Sequence, residues 1–177
     1  MADEDIDWGD DAHQELALLI GRVCMAWNEL QYTIYGLFEV TSELEPNAAG
    51  AAFFSLKADT AQRDLVQALF SAQFQGRPDL VKKLTKAMNE IGKMSGERNA
   101  AIHTAWSYWA SEHRMGPSMA WIAHKSLKGN PAHHFSDLVR RIDDQCEVIW
   151  EVFDEALALM QALPPKPLAR FRMRPTR

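Results

Sequence analysis

Apolar side chains recur at alternating spacings of four and three residues along residues 11–42. The members of this stripe are Leu16, Ile20, Val23, Trp27, Leu30, Ile34 and Leu37. Because an α-helix makes one turn in about 3.6 residues, this spacing places them all on one face. The pattern therefore predicts a first helix of about eight turns that packs against other long helices.

Four later segments also show helical periodicity. The predicted helices span residues 48–56, 59–75, 78–103 and 135–163. Proline and glycine interrupt the chain between them: Pro46 precedes the first, Gly76 lies in a turn, and Pro164 stops the last. Pro78 suits the first position of a helix, where its missing N–H would have no partner in any case.

Residues 105–127 differ in character from the helices around them. Large side chains that favour strands come in two groups: Trp106, Tyr108 and Trp109, then Met119, Trp121 and Ile122. Gly116-Pro117 lies between the groups, and the segment predicts a β-hairpin or an aromatic loop. The expected fold class is all-α: a bundle of four main helices, with a short helix after the first and this insertion before the last.

Charge divides the chain into three parts. Residues 1–10 form an acidic segment, residues 11–163 the helical domain, and residues 164–177 a basic tail rich in proline and arginine. The whole chain has a net charge of −5; without the tail, 14 bases stand against 24 acids, a net charge of −10. This balance excludes a protein coated with basic residues for nucleic acid, although it is compatible with a local basic patch.

Composition excludes several other classes. Cys24 and Cys146 are too few for a disulfide-rich scaffold or a four-thiolate zinc site. The six histidines lack the supporting carboxylate or thiol spacing of a metal site, so we predict no metal and no cofactor. No apolar run approaches the roughly 18 residues that span a bilayer, and the acidic N-terminus is unlike a secretory leader. We expect a cytoplasmic protein that does not enter a membrane.

Polar side chains cluster at the end of the predicted helix 78–103. Asn99 and His103 are four residues apart and share a face. Arg98 lies about 140° away from His103 around the axis, although its long side chain can bend toward the imidazole. The structural alternative is that Arg98 and His103 pair with Glu97 or with the last carbonyl groups of the helix.

The run Arg98-Asn99-Ala-Ala-Ile-His103 resembles the signature of the HEPN superfamily of small all-α domains. In that family an Arg, a polar residue directly after it and a His four to six positions beyond the Arg mark a metal-independent ribonuclease site. The resemblance implies catalytic roles for Arg98, Asn99 and His103: proton transfer by the imidazole, phosphate binding by the guanidinium and orientation by the amide. It also implies a homodimer in which two motifs face each other across a two-fold groove.

Two groups of basic residues are candidate RNA contacts. Lys82, Lys86 and Lys93 fall close to one face of the helix that carries the motif. Arg170, Arg172 and Arg174 lie in the tail. Either group could bind phosphates, and the alternative for both is an ordinary solvated surface.

Three functions remain open from these observations. The first is a HEPN-type endoribonuclease that acts as a toxin or defence effector, with an antitoxin or other regulatory protein as its partner. The second is a non-catalytic HEPN-like module that binds RNA, a nucleotide or a protein, which the acidic body favours because it repels RNA at long range. The third is a helical dimer with a small-molecule or metal-binding role.

Overall fold

The computed structural model describes residues 10–109, 114–118 and 131–162. Its helices are α1 (Asp10–Ser42), α2 (Pro46–Ser55), α3 (Asp59–Gln73), α4 (Pro78–His103) and α5 (Pro131–Gln161), and its strands are β1 (Trp106–Trp109) and β2 (Arg114–Pro117). This order confirms the predicted all-α bundle of four main helices with a short helix after the first. Residues 1–9 and the tail 164–177 lie outside the described part of the chain.

The first helix forms the centre of the bundle. Val23, Leu30 and Ile34 on its predicted stripe are completely buried. Ile20 is only partly buried, whereas Leu19 and Phe38 are buried beside the stripe. The buried face is therefore wider than the predicted one, because α2, α3, α4 and α5 all pack against α1 and α5 covers the most of it.

Ion pairs join α4 and α5 along their length. Arg77, just before α4, pairs with Glu155, and Lys83 Nζ lies 2.6 Å from Glu151 Oε2. At the other end of α4 the signs reverse, because there Glu97 pairs with an arginine of α5. The residue numbers of the α5 partners fall as those of the α4 partners rise. Complementary charge therefore favours the antiparallel arrangement of the two helices.

Several helix boundaries depart from the prediction by two residues or more. Helix α2 begins at Pro46, two residues before its predicted start. Helix α3 ends at Gln73, two residues early, and α5 begins at Pro131, about one turn before Phe135. Proline is favourable at a first helical position because its φ angle is already helical. Phe135 is therefore a buried residue inside the first turns of α5, not its start.

The hairpin is confirmed for the first aromatic group only. Strands β1 and β2 are antiparallel, with Trp106 opposite Pro117. Gly116 and Pro117 lie within β2, so they do not form a turn between two aromatic strands. Proline is tolerated there because a two-stranded ribbon has free edges, where a missing N–H removes no hydrogen bond between strands. The second group, Met119, Trp121 and Ile122, lies outside the described residues.

Trp106 attaches the hairpin to the bundle. Its ring packs edge-to-face on Phe135 with centroids 5.7 Å apart, and its Nε1–H donates to the Ala101 carbonyl at 3.3 Å. This carbonyl belongs to the last turn of α4, where helix carbonyls lack intrahelical partners. The hairpin therefore closes the end of the helix that carries the motif.

Both cysteines are thiols on helices of the bundle. Burial raises the pKa of the Cys146 thiol to about 11, as expected for a core thiol, and Cys24 is also free. Within the described ranges, no helix is long and apolar enough to cross a bilayer.

Replacement of Ile34 by alanine tests the central role of α1. The side chain is completely buried, so Ile34→Ala should lower the free energy of unfolding by about 2–5 kcal/mol through lost burial and a residual cavity. Urea unfolding measures the change. The control is Leu18→Ala on the same helix, which is 58% exposed and should change stability by less than about 0.5 kcal/mol. Equal effects of the two substitutions would contradict this assignment of the core.

Candidate functional site

The last two turns of α4 position the three motif side chains differently. Asn99 and His103 are both exposed, one turn apart on the same face, as predicted. Arg98 is partly buried because it falls on the side of α4 that packs against α1. His103 is the last residue of the helix, and Thr104 continues in an extended conformation.

Arg98 contacts one motif residue and not the other. Its Nη1 donates to Asn99 Oδ1 at 2.9 Å, while its Cζ lies 5.6 Å from the centre of the Trp27 ring. No hydrogen bond or ion pair between Arg98 and His103 is found in the described structure, because the two side chains leave the helix on different sides. The amide of Asn99 therefore connects the guanidinium to the exposed face on which His103 lies.

Trp27 fixes the direction of the arginine. The indole is 1% exposed and belongs to the apolar stripe of α1. Its face contacts the Arg98 guanidinium, a cation–π arrangement, and its Nε1–H donates to Asp59 Oδ2 at 3.1 Å. Sequence periodicity assigned Trp27 to the core alone, since nothing in the spacing indicates which face of the ring meets a charged group.

Glu97 is not the partner of the motif residues. Arg141 of α5 donates to both of its carboxylate oxygens, at 3.1 and 2.5 Å, and also lies 2.9 Å from Asp137 Oδ2. These acidic partners raise the pKa of Arg141. Because Glu97 is occupied, it does not neutralise Arg98, and no described carboxylate forms an ion pair with that guanidinium. The alternative in which Glu97 holds the motif residues is wrong.

The three candidate lysines lie together beside the motif helix's exposed face. Lys82, Lys86 and Lys93 line a shallow depression of about 470 Å³, which we call the lysine depression. Lys93 Nζ lies 2.6 Å from Glu90 Oε1, whereas Lys82 and Lys86 form no ion pair with a described carboxylate, although Glu90 also interacts electrostatically with Lys86. The depression therefore keeps part of its positive charge, and binding of RNA there stays a prediction.

Two further predictions concern the basic tail and a metal site. The tail arginines Arg170, Arg172 and Arg174 lie outside the described residues. Among the residues that the structure places, no group of three or more His, Cys, Asp or Glu side chains is arranged to hold a metal ion.

Comparison with protein-family models, curated proteins and solved structures yields no match to this chain. The resemblance to HEPN domains therefore depends on the six-residue motif and the order of the helices.

Substitution of Glu97 tests whether this residue stabilises the fold while the neighbouring exposed motif residue Asn99 does not. Glu97→Gln leaves the partly buried Arg141 without its bidentate partner and should lower the free energy of unfolding by about 1 kcal/mol. Chemical denaturation measures the loss. Asn99→Ala, an exposed change two residues away, should leave stability within about 0.5 kcal/mol. The matched ion-pair control is Arg140→Gln, because Arg140 is 63% exposed beside Asp137 and Asp144 and should also cost less than about 0.5 kcal/mol.

Proposed function

We propose that this protein is a metal-independent endoribonuclease of the HEPN type, with Arg98, Asn99 and His103 as its catalytic residues. One observation carries the proposal: an exposed imidazole and an exposed amide share a face at the end of α4, and the amide accepts a hydrogen bond from a guanidinium that forms no ion pair among the described residues. This combination supplies a group for proton transfer and a positive charge beside it.

The reaction that suits these groups is attack of an RNA 2′-hydroxyl on the adjacent phosphorus. A base removes the hydroxyl proton, the new O–P bond closes a five-membered ring, and the P–O bond to the 5′-oxygen breaks as an acid protonates that oxygen. The products are a 2′,3′-cyclic phosphate and a 5′-hydroxyl. His103 exchanges the protons, Arg98 stabilises the negative charge on the phosphorane, and Asn99 holds Arg98 or the phosphate in place.

A second copy of the chain completes the site in this proposal. The reaction needs both a base and an acid, and each motif contains one histidine. A two-fold homodimer contains two copies of His103, so one imidazole removes a proton while the other donates one. The two positively charged groups also share the charge of the phosphorane, and no metal is needed.

Position along α4 supports RNA as the substrate. Lys93 precedes His103 by ten residues, or about 15 Å of helix, so a strand whose phosphates lie in the lysine depression reaches the motif. Uncontrolled RNA cleavage harms a cell, and the proposal therefore includes a toxin or defence role and an antitoxin or other regulatory protein that restrains it.

A second candidate is a non-catalytic module that binds RNA through the same surface. The observation that favours it is the direction of Arg98, which contacts Trp27 and has its Nε buried without a hydrogen-bond acceptor in the described part of the chain. A guanidinium held against the bundle can strengthen the surface potential without touching the reacting phosphate. The two candidates differ in whether RNA is cleaved.

The first test is RNA cleavage in EDTA. Wild-type protein should convert a pool of single-stranded RNA and tRNA into fragments with 2′,3′-cyclic phosphate ends, and His103→Ala should produce none because the proton-transfer group is gone. Gel electrophoresis and end analysis measure both. His133→Ala is the matched control, since His133 is an exposed histidine of α5 that does not belong to the motif, and it should cleave like wild type. RNA binding without cleavage by wild type would favour the non-catalytic module.

Mixing wild type with an inactive variant tests the composite site. Because the reaction needs one imidazole from each copy, a mixed dimer of wild type and His103→Ala should not cleave RNA. After co-refolding with a roughly fourfold excess of His103→Ala, the activity per wild-type chain should therefore fall to about one-fifth. Sedimentation velocity of the same samples gives the oligomeric state. A fully active monomer would rule out the shared site.

A further inference from the structure

A second guanidinium, far from the motif in sequence, lies almost entirely inside the bundle. Arg63 of α3 is 5% exposed. Its Nη2 donates to Thr60 Oγ1 at 3.3 Å, and its Nη1 is buried without a hydrogen-bond partner in the described structure. Burial lowers the pKa of Arg63, but a guanidinium stays charged at neutral pH. A buried charged donor without an acceptor is costly, and its presence in a folded protein requires a reason, such as a bound water, an ion or a functional role.

Arg63 lines a cavity of about 170 Å³ between α3 and α4. Its other walls include Thr60, Asp64, Gln67, Met88 and Asn89. Since Thr60 belongs to the wall and accepts from Nη2, the guanidinium end of Arg63 stands at the cavity. Gly92 lies on the α4 side of the cavity. A Cβ atom at this position would meet no neighbouring atom within 4 Å, so the space in front of Gly92 is open.

The lining selects a neutral, planar ligand with both acceptors and donors. The cavity is smaller than the roughly 300 Å³ at which pockets for drug-sized molecules begin, so its occupant is about one ring system in size. Arg63 supplies N–H donors, and the exposed carboxylate of Asp64 accepts. That carboxylate, with Asp59 also close enough to act on Arg63, repels a phosphate or a carboxylate ligand. A ligand with a carbonyl group next to a ring N–H accepts a hydrogen bond from Arg63 and donates one to Asp64.

The cavity and the lysine depression are adjacent. Asn89 lines both of them. Thr85, which lines the depression, accepts a hydrogen bond from Gln67 Nε2 at 3.2 Å, and Gln67 lines the cavity. A nucleotide whose ring enters the cavity would therefore have its phosphates close to the depression, where Lys82 and Lys86 form no ion pair with a described carboxylate.

We propose that the cavity between α3 and α4 binds one nucleobase with a carbonyl–NH edge, uracil or guanine, from a single strand of RNA whose phosphates lie in the lysine depression. In the uracil case, O4 accepts from Arg63 Nη2, the nitrogen that lies at the Thr60 wall, and N3–H donates to Asp64. Cytosine presents an amino group and an unprotonated ring nitrogen at the same places, so both contacts become repulsive. Only the choice of RNA as the ligand rests on the proposed function, because the cavity includes none of the motif residues.

Binding of short oligonucleotides tests the inference apart from cleavage. Full-length His103→Ala protein in EDTA is titrated into fluorescein-labelled U8 or C8 RNA, and anisotropy gives the two dissociation constants. U8 should bind roughly tenfold more tightly than C8. Equal affinity, or no binding of either oligomer, overturns the inference. The cleavage assay with wild-type protein decides the proposed function separately, so failure of one is not failure of the other.

Substitutions at the cavity locate the preference. Asp64→Asn changes an exposed side chain and should bring U8 and C8 to near equality, while Asp154→Asn, an exposed change on α5, should leave the difference intact. Lys86→Ala should weaken both oligomers equally and reduce the salt dependence of log affinity by about one. Arg63→Gln should also abolish the preference, with urea unfolding as a check that the buried substitution still folds. Retention of the full preference in Asp64→Asn overturns the assignment.

Discussion

Burial of one face of α1 is the constraint on which the rest of the structure depends. This helix has 33 residues, and every other described helix packs against it. A helix of that length with one apolar side is poorly stable alone in water, because helical stability in proteins comes mainly from packing. Once α5 covers most of the face, α3 and α4 occupy what remains. The positions of the motif side chains follow from this arrangement.

Trp27 connects the packing of α1 to the candidate functional residues. A single indole of α1 contacts Arg98 of α4 with its ring and Asp59 of α3 with its N–H. The contact with Trp27 therefore sets the direction of the Arg98 side chain. The hydrogen bond from Arg98 to Asn99 links this side chain to the exposed face of α4. On α3, Asp59 and Arg63 are one turn apart, so the same indole lies close to the start of the cavity wall.

Three acids of the described bundle join α4 to α5, whereas Arg63 and Arg98 form no ion pair among the described residues. Glu97, Glu151 and Glu155 all pair across the seam between α4 and α5. Arg98 and Arg63 instead contact an indole and a hydroxyl. An acidic protein can thus keep local positive charge at chosen positions, which removes part of the objection that its net charge of −5 raises against RNA.

The sequence by itself determined the fold class, four main helices and their approximate ends, because burial at a period of about 3.6 residues leaves a visible pattern. It also placed Asn99 and His103 on one face, since that follows from helix geometry alone. Only the tertiary structure decided that Arg98 meets Trp27, that Glu97 belongs to Arg141, and that Arg63 is buried at a cavity. These contacts join residues far apart in the chain, and a helical period specifies which side of a helix is buried without specifying which neighbour buries it.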